Sequence, residues 1–528
     1  MEREIRKGAL SLVETAVDAG VEVCFANPGT TEMPIVATLD AVPGMRVVLG
    51  LFEGVCTGAA DGWGRMAGRP AATLLHLGPG FANGLAHLHN ARRARTPVVN
   101  WIGEHATEHR ALDAPLASDI AALTDSVGWT RTIESPQEMS EASRAAVEAA
   151  FGPPRRVASL IIPADCQWGP GPEPVASRPL PGLREPPTAA IQEAARLLTM
   201  GRGSILLGGD ALTEEGLRAA AQVMAATGAG VWMETFAPRR EGGCNIPSFA
   251  ALPYFPEQAR EALAEVSSLV LAGAREPIAF FAYPDQPARF APESATVHVL
   301  ADPDAGVSAT LALEALAEEL GAVGPAVPPR RLPAFSPSDR PLNPDCLGRA
   351  IAAFTPEGAI IVNEAATTGM LWSAAYAADA APHTVLGLTG GAIGTGLPLA
   401  LGAALACPDR RVIAFQADGS GLYALQALWS MARESADVTV VVCANRSYHI
   451  LQLELARIVS NAPGPKAQAL TELQRPTIDW AALATGFGVP ACRAATDSEL
   501  SDALTRSLAE PGPTLIEASL SAGHGQTS

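Results

Sequence analysis

The feature that most constrains the fold is a regular alternation of short, apolar, β-branched runs with Ala- and Leu-rich segments of helical periodicity. Runs of this kind indicate strands that are buried on both faces, and a helix after each strand favours parallel pairing. We therefore predict an α/β fold built from doubly wound parallel sheets. The clearest predicted strands are 157–162, 204–207, 268–272, 296–300, 359–362, 412–415 and 438–443.

Two proline-rich stretches, 168–187 and 324–344, interrupt this alternation. They divide the chain into three blocks of ordinary domain size, which we predict to be domains: 1–170, 188–323 and 345–528. The first and third blocks share the strand-helix alternation but show no convincing residue-level repeat, so a duplication is left open.

The charge of the chain limits its partners. A formal net charge of −18 argues against nucleic acid and membrane surfaces, because both are polyanionic. No apolar run approaches the roughly 20 residues that span a bilayer, and the mixed charges of residues 1–7 do not resemble a signal peptide. Eight cysteines without a Cys-x-x-Cys pair indicate reduced thiols. We expect a cytoplasmic protein that acts on a small, acidic-to-neutral metabolite.

The most specific motif lies in the third block. The predicted strand 412–415 leads into Asp418-Gly419-Ser420, and the predicted strand 438–443 leads into Asn445, so the asparagine follows the aspartate by 27 positions. One strand-helix-strand unit has this length, so both side chains are expected at the carboxyl edge of a sheet. Carboxylate and amide oxygens suit Mg²⁺, and a helix starting near residue 421 would offer N–H groups to an anion. The alternative is a common Asp-Gly-Ser turn.

Residues 417–445 resemble the Gly-Asp-Gly…Asn signature of thiamin-diphosphate enzymes. The following Asn-Arg-Ser-Tyr resembles the acetolactate synthase and benzoylformate decarboxylase branch of that family. Ala417 and Ala444 depart from the pattern at positions that supply no metal ligand. The resemblance implies Mg²⁺ bound by Asp418, Asn445 and the Ser447 carbonyl, with Gly419, Ser420 and Tyr448 at the diphosphate.

A second matching segment surrounds Glu53, which follows an apolar run at 47–52 and precedes a helix of small residues. Apolar surroundings would favour its protonated form, although a glutamate that opens a helix is the alternative. In the resembled family this glutamate activates the aminopyrimidine of the cofactor, which lies between the first domain of one subunit and the third domain of another. The resemblance thus implies a pyrimidine-binding first domain, a middle domain and a diphosphate-binding third domain, in a homodimer or homotetramer.

Two further loops match the family. Residues 390–394 resemble the segment that contacts the pyrimidine, with Gly391 as backbone partner and Ile393 as the wedge between the two rings of the cofactor. Thr367, after the predicted strand 359–362, matches a loop on the diphosphate side. An ordinary glycine-rich loop opening a helix at 396–405 is the alternative for the first of these.

On the substrate side, two residues match positions of benzoylformate decarboxylases. His76 matches a catalytic histidine of benzoylformate decarboxylases and Thr30 matches a substrate-binding serine, although a histidine in an apolar strand is often structural. His87 and His89 are interpreted as structural. Other expected polar groups are replaced: a second histidine by Phe281, the acid of pyruvate decarboxylases by Leu451, and the glutamine of acetolactate synthases by Glu104.

Fewer proton donors after decarboxylation would favour attack on a second carbonyl. The prediction is therefore carboligation of a 2-oxo acid, as in acetolactate synthase, with a carbonyl acceptor. A benzoylformate-type decarboxylase without ligation and a weakly catalytic, cofactor-binding regulatory homologue are the alternatives. Some relatives carry a flavin, and whether FAD is bound here is left open. A lid is predicted at 455–474.

Overall fold

The computed structural model describes residues 5–180, 182–284, 286–324, 335–458 and 463–521. The first sheet is wholly parallel, with strand order β2-β1-β3-β4-β6-β5. Its strands are β1 (Val23–Asn27), β2 (Arg46–Leu49), β3 (Ala71–Leu75), β4 (Val98–Glu104), β5 (Gly128–Thr132) and β6 (Val157–Pro163). Its helices are α1 (Gly8–Asp18), α2 (Met33–Leu39), α3 (Glu53–Ala67), α4 (Leu77–Ala94), α5 (Ile120–Asp125), α6 (Met139–Phe151) and α7 (Ala164–Trp168).

The second sheet is also parallel, with order β10-β8-β7-β11-β12. Strands in this part of the chain are β7 (Gly203–Leu207), β8 (Gly230–Met233), β9 (Arg239–Gly242), β10 (Ala250–Ala251), β11 (Ser268–Ala272) and β12 (Thr296–Ala301). Helices are α8 (Thr188–Thr199), α9 (Glu214–Thr227), α10 (Pro256–Leu263) and α11 (Ala309–Glu319). Strand β9 does not join this sheet.

The third sheet has the order β17-β18-β16-β15-β13-β14-β9, and all pairs are parallel except β14 with β9. The remaining strands are β13 (Ala359–Glu364), β14 (His383–Gly387), β15 (Val412–Ala417), β16 (Val438–Ala444), β17 (Ala491–Ala494) and β18 (Thr514–Ser519). Helices are α12 (Pro344–Phe354), α13 (Ala366–Ala375), α14 (Gly396–Ala406), α15 (Asp418–Gly421), α16 (Ala427–Glu434), α17 (His449–Ile458), α18 (Pro465–Ala469), α19 (Trp480–Gly486) and α20 (Asp497–Ala509). Short 3₁₀ helices are Thr30–Glu32, Arg110–Leu112, Pro136–Glu138, Gly209–Leu212, Ala377–Asp379 and Leu422–Ala424.

The predicted α/β class with parallel sheets is confirmed. Alternation did not reveal that β9, from the middle block, adds an antiparallel edge strand to the third sheet. Arg65 links β9 to β14: its guanidinium donates to the Pro238 carbonyl just before β9 (3.1 Å) and to the Gly387 carbonyl at the end of β14 (2.7 Å). Arg65 also forms an ion pair with Asp61 (2.5 Å), and both side chains are buried. The division into domains at the proline-rich stretches stays a prediction.

The first and third blocks pack through α3 and α14, whose apolar residues share one core. Glycines allow this close approach: a Cβ on Gly402 would lie 1.9 Å from the Ala59 carbonyl oxygen, and one on Gly62 would lie 2.1 Å from the Leu399 carbonyl oxygen. The position of α14 against α3 also determines where the loop before α14 lies.

Several predicted boundaries were wrong. The helix expected at 422–432 is divided: α15 begins at Asp418, a 3₁₀ turn follows, and α16 begins at Ala427. The expected strand at 47–52 ends at Leu49, and β3 ends before His76, so this histidine lies outside the strand. The predicted lid includes 459–462, which lie outside the described residues. Among the described helices, none has the length and apolar character needed to cross a membrane.

Candidate active site

The predicted metal ligands meet at the ends of two neighbouring strands. Strands β15 and β16 pair in parallel, and Asp418 and Asn445 each follow directly after one of them. The Asp418 carboxylate accepts hydrogen bonds from the backbone N–H of Arg446 (2.6 Å) and of Gly419 (2.9 Å). The Asn445 side-chain oxygen accepts one from the N–H of Ser447 (3.0 Å). The structure therefore brings Asp418 against the turn that contains Asn445 and Ser447.

The chemistry of this turn fits a bound cation. Asp418 is 3% exposed, and burial raises its pKa to about 6. A buried carboxylate is costly in free energy unless a counter-charge or hydrogen bonds compensate it, and both hydrogen bonds given above come from neutral backbone groups. In the described part of the chain no group of three His, Cys, Asp or Glu side chains could hold a metal. A set with one carboxylate, an amide and a carbonyl leaves positions for phosphate oxygens, as Mg²⁺ prefers.

The predicted diphosphate contacts surround the same turn. Gly419 lies under the Tyr448 ring, where a Cβ would come within 2.5 Å of Tyr448 Cε1, so a side chain would close this space. The buried Ser420 hydroxyl accepts a hydrogen bond from Gln416 Nε2 (2.7 Å). Thr367 is the second residue of α13, a helix that contacts α17 just after Tyr448. Because α15 begins at Asp418, the N–H groups of its first turn lie within this site rather than beyond it.

Left-handed backbone occurs at three non-glycine residues beside predicted site residues. Leu77 (φ 49°) follows His76, Ala366 (φ 47°) precedes Thr367, and Arg446 (φ 58°) follows Asn445. Such conformations cost free energy and persist where the surrounding structure imposes them, often at functional sites. Their positions support a site at these strand ends.

Glu53 opens α3 and is buried. Its carboxylate accepts a hydrogen bond from Asn83 Nδ2 on α4 (3.0 Å), and Oε1 lies 3.1 Å from where a Gly80 Cβ would be. Among the described residues, the Glu53 side chain makes no hydrogen bond to the third block. Glu53 thus lies at the start of α3, beyond the carboxyl end of β2 in the first sheet.

The loop between β14 and α14, residues 388–395, is named here the ring-side loop. Gly391 has a left-handed φ of 78° and is exposed, while Ile393 is partly buried. The tip of the Phe280 ring covers Gly391, where a Cβ would lie 2.7 Å from Phe280 Cζ. The middle block thus contributes an aromatic side chain beside the predicted pyrimidine contact.

His76 precedes α4 and forms a cluster with the 3₁₀ turn at 30–32. Its Nδ1 lies 2.8 Å from Glu32 Oε2 and 3.3 Å from the Thr31 hydroxyl. Glu32 is fully buried and also accepts from the Gly29 N–H (2.7 Å). Thr30 is exposed, so Thr31 and Glu32 are the residues that reach His76.

Three buried polar residues of the site were missed by sequence reasoning. Glu32 ends the 3₁₀ turn at 30–32, Glu364 ends β13, and Asn90 lies on α4. An acid at a strand end was a usable signal for Glu364. Asn90 gave none, because its partners are about 300 residues away in sequence.

His87 and His89 were interpreted as structural, and both bind backbone oxygens. His87 Nδ1 lies 2.6 Å from the Gly54 carbonyl oxygen, and burial lowers the pKa of this histidine. His89 Nε2 lies 3.1 Å from the Gly390 carbonyl oxygen.

Of the three positions at which an expected polar group is replaced, two carry apolar side chains and one carries a buried glutamate. Phe281 stacks edge-on against Phe280 with ring centroids 4.8 Å apart, and Leu451 on α17 is half exposed. Glu104 is buried and accepts from the His105 N–H (2.7 Å). Neither Phe281 nor Leu451 can donate a proton.

Comparison with known proteins shows the family of the chain. Residues 6–124 match the family description "Thiamine pyrophosphate enzyme, N-terminal TPP binding domain", and residues 365–518 match "Thiamine pyrophosphate enzyme, C-terminal TPP binding domain". The chain is 48% identical to the Mycobacterium tuberculosis protein named "Putative acetolactate synthase large subunit IlvX", over 97% of this chain and 98% of the relative. It is 31% identical to benzoylformate decarboxylase of Pseudomonas aeruginosa, over 94% and 96%.

A solved structure shares the fold. The thiamine diphosphate-dependent 4-hydroxybenzoylformate decarboxylase of Rhodococcus jostii RHA1 superposes with a TM-score of 0.82 at 24% identity, covering 98% of this chain and all of that one. Both terminal family descriptions fall on the two blocks that carry the site, and the relatives align over almost the whole chain. The chain belongs to the thiamine pyrophosphate enzyme family.

Proposed function

We propose that this chain is a thiamin-diphosphate- and Mg²⁺-dependent enzyme that decarboxylates a 2-oxo acid and joins the remaining fragment to a second carbonyl compound. The cofactor part rests above all on the buried Asp418, which lies against the Asn445–Ser447 turn. The relative named as an acetolactate synthase large subunit supports the ligation part.

The third block would bind the charged end of the cofactor. Asp418, Asn445 and the Ser447 carbonyl would hold Mg²⁺, while Ser420 and Tyr448 would contact the diphosphate, with Gly419 leaving room for it. Thr367 would approach from α13. Bound there, thiamin diphosphate supplies a thiazolium carbon nucleophile and an electron sink for decarboxylation.

The first block would act on the ring end. Glu53 would exchange a proton with the aminopyrimidine, and Gly391 and Ile393 would orient its ring from the ring-side loop. Because Glu53 makes no described hydrogen bond to the third block of its own chain, we infer that a second copy completes the site, in a homodimer or homotetramer.

On the substrate side, His76 would act as the general acid or base, and Glu32 would orient its ring through Nδ1. Phe281 and Leu451 add apolar surface where related enzymes carry donors. With fewer donors to protonate the decarboxylated fragment, attack on a second carbonyl is favoured.

Calorimetry tests the cofactor part. Thiamin diphosphate with Mg²⁺ should bind the wild-type chain, and D418A should lose about 100-fold or more in affinity because the carboxylate ligand is gone. D409A, in the exposed turn before β15, is the matched control and should bind as the wild type does. No heat of binding to the wild type would refute the proposal.

Product analysis tests the reaction. With pyruvate, an acetohydroxy acid or acyloin should form beside CO₂. Acetaldehyde without any ligation product would contradict carboligation. Absorbance of the purified protein near 450 nm tests separately whether a flavin is bound.

A benzoylformate-type decarboxylase is the second candidate, favoured by the His76–Glu32 pair. With Glu32 orienting its ring, His76 could protonate the decarboxylated fragment. It predicts faster turnover of aryl than alkyl 2-oxo acids, with the aldehyde as sole product. The same assays, run across aryl and alkyl substrates, distinguish the two candidates.

A further inference from the structure

The ring-side loop is rich in glycine. It contains Gly390, Gly391 and Gly394, and the latter two adopt left-handed φ angles of 78° and 94°. Glycines lose more backbone entropy on ordering than other residues do, at about 1–2 kcal/mol for each residue fixed. A loop of this composition needs external anchors if it is to present one conformation to a ligand.

Asn90 on α4 is the first anchor. Its side-chain amide pairs with both polar groups of one residue, donating from Nδ2 to the Ala392 carbonyl (2.7 Å) and accepting from the Ala392 N–H at Oδ1 (3.3 Å). The Thr389 hydroxyl donates to the Asn90 carbonyl (2.8 Å), and His89 Nε2 lies 3.1 Å from the Gly390 carbonyl. Asn90 is fully buried. The first block therefore holds the beginning of the loop.

Glu364 at the end of β13 is the second anchor. Its two carboxyl oxygens accept separately from the Gly394 N–H (2.5 Å) and from the Gly396 N–H. A Cβ on Gly396 would lie 2.2 Å from Gln416 Oε1 and 2.8 Å from Glu364 Oε2, so these two oxygens face the same point. Gln416 Oε1 is buried and has no hydrogen-bond partner among the described residues, while Gln416 Nε2 donates to the Ser420 hydroxyl at the diphosphate turn.

Burial also affects the protonation of this second anchor. It raises the pKa of Glu364 to about 7. A proton retained on the carboxyl group would supply the donor that the Gln416 oxygen lacks. Glu364 thus connects the end of the ring-side loop to the segment that carries the predicted diphosphate contacts.

We propose that Asn90 and Glu364 are positioning residues that hold the ring-side loop in one conformation from two sides before a ligand binds. This inference rests on the proposed function, since that function makes Gly391 and Ile393 the ring contacts. Anchoring in advance removes an ordering cost that binding would otherwise carry, so the anchors should affect cofactor affinity as well as loop mobility.

The test uses N90D and E364Q in the full-length chain. Aspartate cannot donate to the Ala392 carbonyl, and glutamine presents an amide NH₂ to one of two backbone donors. The matched controls are N100D, a buried asparagine that binds Thr73 and Ser159 within the first sheet, and E517Q, a buried glutamate on β18. N90H and E364D are the second variants if the first pair does not fold.

Amide hydrogen exchange of the cofactor-free protein is the first measurement. Exchange in the peptide covering 388–396 should increase about tenfold or more in N90D and E364Q, but not in the controls. At saturating cofactor, kcat should fall while KM for the 2-oxo acid changes little, and calorimetry should show about tenfold weaker binding of thiamin diphosphate. Unchanged exchange in folded anchor variants would overturn the inference. A wild type that binds no thiamin diphosphate, but whose loop loosens in the variants, would refute the proposed function and leave the anchors standing.

Discussion

We predict that G402A weakens the contact between α3 and α14. Gly402 is inside a helix, where alanine would ordinarily stabilise by about 0.5–1 kcal/mol. The added Cβ, however, would lie 1.9 Å from the Ala59 carbonyl oxygen and 2.8 Å from the Trp63 nitrogen. Ordinary contact begins near 3.4 Å, so α14 must move away from α3 by about 1.5 Å.

Overpacking of this kind costs about 1–3 kcal/mol, and both neighbours are helix backbone that cannot rotate aside. We expect a net destabilisation of about 1–2 kcal/mol and, because the melting temperature of a cooperative unit of 528 residues shifts by only about 1 °C per kcal/mol, a melting temperature lower by about 1–2 °C. Because α14 begins directly after the ring-side loop, G402A should also weaken thiamin diphosphate binding.

Thermal unfolding monitored by circular dichroism, together with calorimetric titration of the cofactor, measures both effects. G486A is the matched control, because this residue ends α19 and a Cβ there would meet nothing within 4 Å. G486A should melt at or slightly above the wild-type temperature and bind the cofactor normally. If G402A melted at the same temperature as G486A, the contact between α3 and α14 would tolerate the added methyl group, contrary to this prediction.

Three further predictions follow from buried polar groups. E32Q should lower kcat about tenfold or more with little change in KM, as measured by steady-state kinetics. Glutamine cannot accept hydrogen bonds from the Gly29 N–H, the Thr31 hydroxyl and His76 together, so the His76 ring would lose its orientation. R65M should destabilise the protein by about 3–5 kcal/mol in urea unfolding, because Asp61 is left buried and unpaired, and the double variant D61L/R65M should recover most of the loss. Glu364, with its pKa raised from 4.5 to about 7, keeps its proton in the folded chain over a range where the unfolded chain loses it. The stability of the cofactor-free protein should therefore fall as pH rises from about 4.5 to about 7 and should level off above that range. E364Q should lack this part of the pH dependence. If the melting temperatures of the wild type and of E364Q changed with pH in parallel, the raised pKa of Glu364 would be wrong.

Local patterns were sufficient where the site is made from adjacent segments. Strands β15 and β16 are consecutive and parallel, so a spacing of 27 residues brought Asp418 to Asn445 as expected. The turn geometry differed in detail, because α15 starts at the aspartate itself. That detail depends on backbone hydrogen bonds to the Asp418 carboxylate, which composition and periodicity do not specify.

The α/β class, the parallel sheets and the two polar clusters at strand ends were predictable from the residue pattern, because they follow from periodicity and from spacings within one strand-helix-strand unit. Three features became visible only in the folded chain: β9 pairs with the third sheet, Glu32 contacts His76, and Asn90 and Glu364 bind the ring-side loop. These contacts join residues 30 to about 300 positions apart, and they arise from how separately formed layers pack. A single sequence carries the pattern of each layer, but which buried donor meets which acceptor is settled when the layers come together.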